Sequence, residues 1–179
     1  MTVRARLLAT AIAVGAAVAV ALTGSAAVAG GEDGRSFLRE RLSGYQEDPL
    51  TISTNGTALF RAQINDTDQT ISYRLSYSAL AGTVAQAHIH FGGRHQSGGI
   101  VVFLCSNLGN GPAGTQACPA APATITGTLR AADVIGPAGQ GIAAGEFAEF
   151  LAAIRAGVTY VNIHSSIYPG GEIRAQISG

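Results

Sequence analysis

From residue 57 onward the chain alternates apolar and polar residues with a period of two, in short runs separated by turns rich in glycine, asparagine and proline. Successive side chains of a β-strand point to opposite faces, so such runs are built to bury one side and expose the other. TALFRAQI (57–64) places Ala58, Phe60, Ala62 and Ile64 on one side. TISYRLSYSAL (70–80) sets Ile71, Tyr73, Leu75 and Tyr77 against Ser72, Arg74, Ser76 and Ser78. The NDTDQ between them has the side chains of an Asx turn, so the two runs form a hairpin. VAQAHIHF, GGIVVFLC and ATITGTLR are further strands, the second continuous enough in its apolar run to suit burial on both faces. VTYVNIH and GEIRAQI pair across the Pro169-Gly170-Gly171 turn. One helix interrupts: GEFAEFLAAIRAG (145–157) carries Phe147, Phe150, Leu151 and Ile154 on one stripe, which covers a core, and Gly157 stops it. With no βαβ alternation and no solenoid repeat, the pattern predicts an all-β fold. The expected architecture is an immunoglobulin-like or Greek-key β-sandwich or barrel with one short helix.

The N-terminal residues belong to a different class. Arg4 and Arg6 precede an apolar run (7–22), and Ala27 and Ala29 stand at the positions a signal peptidase requires. The expected division is a signal peptide over 1–29, a flexible lead over 30–36 and one domain over 37–179. An uncleaved membrane anchor is the rival reading of that run. After cleavage the expected location is extracellular, with no membrane attachment. Without Arg4 and Arg6, nine basic residues, all arginine, face eleven acidic ones. That balance gives nucleic acid no general attraction. Cys105 and Cys118 are the only cysteines, and in an exported chain they are expected to form one disulfide. A dithiolate metal pair is the alternative.

Three of the four histidines lie in AHIHFGGRHQSGG (87–99) and the fourth, His164, in YVNIH. Alternation puts Ala87, Ile89 and Phe91 on one side of their strand and His88 and His90 on the other. In the later strand Val161 and Ile163 oppose Tyr160, Asn162 and His164. The apolar sides face the core, so both strands are expected to turn their histidines to the outer face. If the strands are neighbours, His88, His90 and His164 converge within metal-ligating distance. Imidazole suits copper or zinc. His95, in the glycine-rich loop, is either a fourth ligand or a loop residue in water. The plain alternative for the trio is hydrogen-bonding surface histidine. No G-x-S-x-G elbow, acid pair or phosphate loop accompanies them, so hydrolase readings are poor.

AHIHFGGRHQSGGIVVFL, the Gly127-x-Leu129 strand and YVNIHSSIYPGGEIRAQI together resemble the CHRD domain, a module named for an extracellular inhibitor of growth factors. LSGYQEDPL (42–50) is similar to the family's opening strand and acidic-proline turn, with Gln46-Glu47-Asp48-Pro49 where the family usually shows Asn-Glu-x-Pro-Pro. The likeness spans residues 37–177. It implies an immunoglobulin-like barrel related to Cu,Zn superoxide dismutase. By that comparison His88 and His90 match a copper strand, His164 a later copper histidine, and Arg174 an arginine that guides an anion. The dismutase zinc ligands have no counterpart, so a copper-only site is what the likeness implies, with zinc less favoured. Glu172 and Arg174 also read as surface ion pairs. Two functions follow as expectations. The first is an extracellular binding or structural module without catalysis, acting through its surface on an unidentified partner. The alternative is a secreted copper-binding protein, and a copper-dependent dismutase is a thinner third reading.

Overall fold

The hairpin read from alternation is the centre of one half of the fold. In the computed structural model, which describes residues 35–178, β2 (Thr57–Asn65) and β3 (Thr70–Ser78) pair antiparallel, with Phe60 opposite Leu75 and Ala62 opposite Tyr73. The expected signal peptide lies outside the described residues. β1 (Arg35–Ser43) joins the other side of β2, so regular structure begins inside the expected lead of 30–36. β4 (Val84–Phe91), β5 (Gly99–Ser106), β6 (Ala123–Leu129), β7 (Thr159–Ser165) and β8 (Ile173–Ile177) complete the strands, and α1 (Phe147–Arg155) is the expected helix. The hydrogen-bonded order is β5-β4-β7-β8-β1-β2-β3-β6, antiparallel throughout. Two groups of four meet where β1 touches β8, through the pair Ser43 and Arg174. The result is an all-β, nearly closed barrel with one short helix.

The inward faces carry the residues that alternation assigned to them. Ala58, Phe60, Ala62 and Ile64 are buried with Ile71, Tyr73, Leu75 and Tyr77, and meet Ile89, Val161, Ile163 and Ile173 from the other half. Phe147, Phe150, Leu151 and Ile154 of α1 join the same core. β5 departs from the expectation. Its pairing with β4 shifts register between Ala87 and His88 and again between Ile89 and His90. Those bulges let Val101, Val102, Leu104 and Cys105 all turn inward, while Phe103 stays half-buried on the far side opposite His88. The continuous apolar run therefore marks a bulged strand and not one buried on both faces.

β5 and β6 are the two ends of the strand order, and a side chain bridges the seam between them. The Gln116 amide nitrogen lies 3.0 Å from the Leu104 carbonyl on β5 and 3.1 Å from the Thr126 carbonyl on β6. It also donates to the Tyr73 hydroxyl at 2.8 Å, which itself donates to Leu104 O at 3.0 Å. The Cys105–Cys118 disulfide, closing a separation of 13 residues, straps the Gln116 segment to β5. Closing so short a loop contributes about 3 kcal/mol by the chain-entropy model.

Gly127 of β6 pairs with Tyr73, and a Cβ there would lie 2.6 Å from the Tyr73 ring, whose hydroxyl is fixed at the seam. Alanine's smaller loss of backbone freedom favours Gly127→Ala by about 0.5–1 kcal/mol. Overpacking a ring that cannot move costs about 1–3 kcal/mol. Gly127→Ala is therefore expected to lower the unfolding free energy in urea by about 1–2 kcal/mol.

Candidate metal centre

β4 and β7 are adjacent and antiparallel, with His88 opposite Asn162, His90 opposite Tyr160 and Gln86 opposite His164. His164 thus sits on the diagonal from His88, within reach of a side chain on the same face. The ring centroids of His88 and His164 are 5.1 Å apart, those of His88 and His90 5.3 Å, and those of His90 and His164 6.2 Å. One nitrogen from each ring lies within 4.8 Å of the others.

The three histidines do leave their strands on the side away from the apolar core. That side is not open to water, as the surface reading required: His88, His90 and His164 are 1%, 9% and 8% exposed. Loop backbone and one aromatic ring cover them. The chain after β4 folds back so that Gln176 donates to Gly92 O at 3.0 Å and Arg174 to Gly93 O at 2.9 Å. Gly98 N then donates to the Tyr160 hydroxyl at 3.1 Å. Phe103 packs edge-on against His88 at 4.4 Å, where the bulges of β5 place it.

The same loops set the protonation of two rings. His90 Nδ1 lies 2.9 Å from Gly98 O, and His164 Nδ1 2.9 Å from Pro169 O. A carbonyl oxygen only accepts, so each Nδ1 carries the hydrogen and each Nε2 keeps its lone pair. A backbone carbonyl behind a histidine is how metal-binding imidazoles are oriented. His90 Nε2, His164 Nε2 and both nitrogens of His88 are buried without a protein partner. An unmet hydrogen-bonding group in such a place costs about 1–3 kcal/mol. Burial pushes His88 down to about 3, helped by the neighbouring His164 and His90. Burial likewise takes His90 to about 4, against its bond to Gly98, and lowers His164 against its bond to Pro169. All three are neutral near pH 7, the form that offers a lone pair to a cation.

Polar residues extend the site along β7 and β8. Tyr160 stacks on His90 with ring centroids 4.7 Å apart, and the Arg174 guanidinium lies 3.5 Å from the same ring's centroid. β7 runs between β4 and β8, so His90 and Arg174 approach Tyr160 from its two sides. Asn162 donates to both oxygens of Glu47, at 2.9 and 3.1 Å. Burial pushes the Glu47 carboxyl up to about 8, with the attraction of Arg174 the largest opposing influence. Gly171 admits this contact, because a Cβ there would come 2.6 Å from both Asn162 Nδ2 and Glu47 Oε2. Glu172 is wholly buried and accepts from Thr54 Oγ1 and Ala81 N at 2.7 Å each, fastening two further loops.

A family model described as CHRD domain matches residues 38–177. The chain belongs to the CHRD domain family. No curated protein and no solved structure matches it.

Within this CHRD domain the other expected residues take different places. His95 is exposed, at φ 58°, in the loop beyond β4 and outside the cluster. Arg174 and Glu172 are buried, so neither forms the surface ion pair that strand alternation allowed. Cys105 and Cys118 form the expected disulfide, away from any metal role. Glu47, Tyr160, Asn162, Gln176 and Phe103 were not among the expected site residues. The available signal for three of them was a second run of polar side chains, Tyr160, Asn162 and Gln176, alternating with Val161, Ile163, Ala175 and Ile177.

Opposite pKa displacements give a stability maximum. The histidines' values fall below their unfolded 6.5, so their contribution is complete above pH 6.5 and lost as pH drops toward 4 and 3. Glu47 is raised from 4.5 to about 8, so its contribution is complete below pH 4.5 and lost as pH rises through 8. Between 4.5 and 6.5 three imidazoles outweigh one carboxyl. Urea unfolding of the metal-free protein in chelator is expected to show stability rising with pH to a maximum near 6.5 and declining beyond it.

Proposed function

We propose that this is an exported copper-binding protein in which His88, His90 and His164 hold one copper ion. The observation that carries the reading is the set of buried imidazole nitrogens with no protein partner, two of them fixed as lone-pair donors by backbone carbonyls. A cation at their common centre answers all three rings at once. The donor set is neutral and three-membered among the described residues. Zinc takes four ligands in a closed site, and His95 stands elsewhere. The cost of moving an ion out of water rises steeply with its charge, so a sealed neutral pocket beside Arg174 favours the monovalent state. Copper so held supplies one-electron chemistry.

The residues of the chain have defined parts in this reading. Gly98 and Pro169 orient His90 and His164, Phe103 and the 92–98 loop exclude water, and Tyr160 holds His90 flat while Arg174 packs on its other side. The sealed nitrogens and the buried Arg174 offer a small anion no approach, so superoxide turnover is not part of the proposal. Storage or delivery of copper needs no catalysis, and in that respect the non-catalytic expectation and the metal-binding one coincide. Export is supported by the leader pattern at residues 1–29 and by the disulfide.

Anaerobic titration with monovalent copper against a chromogenic chelator tests the reading, comparing wild type with His88→Ala/His164→Ala. One copper per chain is expected in the wild type, with affinity about 100-fold lower or worse in the double variant. Saturating copper is expected to raise the thermal midpoint of the wild type alone. Equal binding by both proteins, or preference for zinc over copper, contradicts it.

A further inference from the structure

The chain's neutrality conceals a local concentration of positive charge. Arg39 on β1 pairs directly with Arg61 on β2, and Arg61 with Arg74 on β3. All three are exposed on the outer face of the barrel. Adjacent strands lie about 4.8 Å apart, so three guanidiniums stand in a row about 10 Å across. Like charges directly opposite one another weaken a sheet. No carboxylate occupies an outward position of these strands between Phe37 and Arg41, Leu59 and Gln63, or Ser72 and Ser76. Among the described residues none of the three arginines has an acidic partner, the ion pair present being Arg155 with Asp66. The packing of the barrel does not require this row.

We propose that the outer face of β1, β2 and β3 binds a linear anionic polysaccharide, with Arg39, Arg61 and Arg74 gripping successive carboxylate groups. The guanidinium fork is shaped to donate two parallel hydrogen bonds to a carboxylate. The row opens on a groove of about 390 Å³, whose neighbouring wall is Phe37, Gln63 and Ser72. Phe37 is 74% exposed and presents an apolar ring that suits the C–H face of a sugar. Gln63 and Ser72 offer an amide and a hydroxyl for sugar hydroxyls, and Ser72 continues into the hydroxyl of Thr128 at 3.4 Å. Below the row, Ser76 and Thr124 form a second hydroxyl pair at 2.8 Å. Closely spaced cations beside an exposed apolar ring, with the Ser72–Thr128 and Ser76–Thr124 hydroxyl pairs flanking the groove toward β6, match a charged sugar chain. A duplex or a lipid surface answers to a broadly basic protein, whereas this chain has 11 basic and 11 acidic residues.

The test is retention of the purified protein on immobilised polygalacturonate and on neutral dextran. Phosphatidylglycerol vesicles and duplex DNA serve as competing ligands, and Arg39→Gln/Arg61→Gln/Arg74→Gln is the variant. The wild type is expected to bind polygalacturonate and not dextran, more weakly as salt rises. The variant is expected to bind about tenfold more weakly or worse, with a thermal midpoint unchanged or raised by removal of the like charges. Equal retention of wild type and variant, no retention of the wild type, or tighter binding to vesicles or DNA than to polygalacturonate overturns the proposal. Copper loading has no part in the expected result.

Discussion

Removing the polar outer face of β4, β7 and β8 from water is the constraint on which this structure turns. A strand face carrying His88, His90, Tyr160, Asn162, His164, Arg174 and Gln176 is ordinarily left in solvent. Covering it requires a hydrogen-bonding partner for nearly every group it bears. Loop backbone and the first residue of β7 supply those partners: Gly98 O and Pro169 O to two imidazoles, Gly93 O to Arg174, and Gly92, Gly157 and Thr159 carbonyls to Gln176. A Cβ at Gly92 would lie 3.1 Å from the Tyr160 ring and one at Gly98 would collide with the Phe91 carbonyl, so glycine at 92 and 98 lets the loop lie that close to the sheet. The buried carboxyl groups of Glu47 and Glu172 then hold the remaining segments against the same face.

Against that nearly satisfied background the imidazole nitrogens stand out. Among the described residues seven buried side-chain polar atoms lack a partner, and four of them belong to His88, His90 and His164. The other three are single oxygens on Thr159, Asn162 and Glu172. Asn162 and Glu172 use their remaining polar atoms, and those atoms serve the packing of loops over the site. His88 uses neither nitrogen. A buried ring with both nitrogens idle costs stability that an apolar side chain of the same size would not. In the proposed copper site that cost has a purpose, and depressed basicity keeps the lone pairs free for a cation.

Period-two alternation was enough to read the fold class, the β2–β3 and β7–β8 hairpins and the inward residues, because burial on one face leaves that pattern directly in the chain. The helix was legible for the same reason at its own period. Alternation also told which side of each strand the histidines leave. It could not tell what covers that side, since cover comes from the 92–98 loop, the Glu47 segment and a Phe103 displaced by bulges. None of these is periodic. Nor could it establish that β4 and β7, some seventy residues apart in the chain, are neighbours. Arg174 was misread for a related reason: an arginine alternating with isoleucine looks exposed until Tyr160 and Gly93 are seen to enclose it. The arginine row shows the converse, because each arginine was visible as an outward residue while their alignment depends on the register of three strands.

The central claim is that three neutral imidazoles point their Nε2 lone pairs, or in His88 one free nitrogen, at one buried point. Nitrogen-15 NMR of the histidine rings in the metal-free protein tests it most directly, followed by addition of monovalent copper. The account predicts Nδ1–H tautomers at His90 and His164 near neutral pH and, with copper, a shift of one unprotonated nitrogen in each of His88, His90 and His164 while His95 stays unchanged. Nε2–H tautomers at His90 and His164, protonated rings at neutral pH, or a copper response confined to His95 would contradict it.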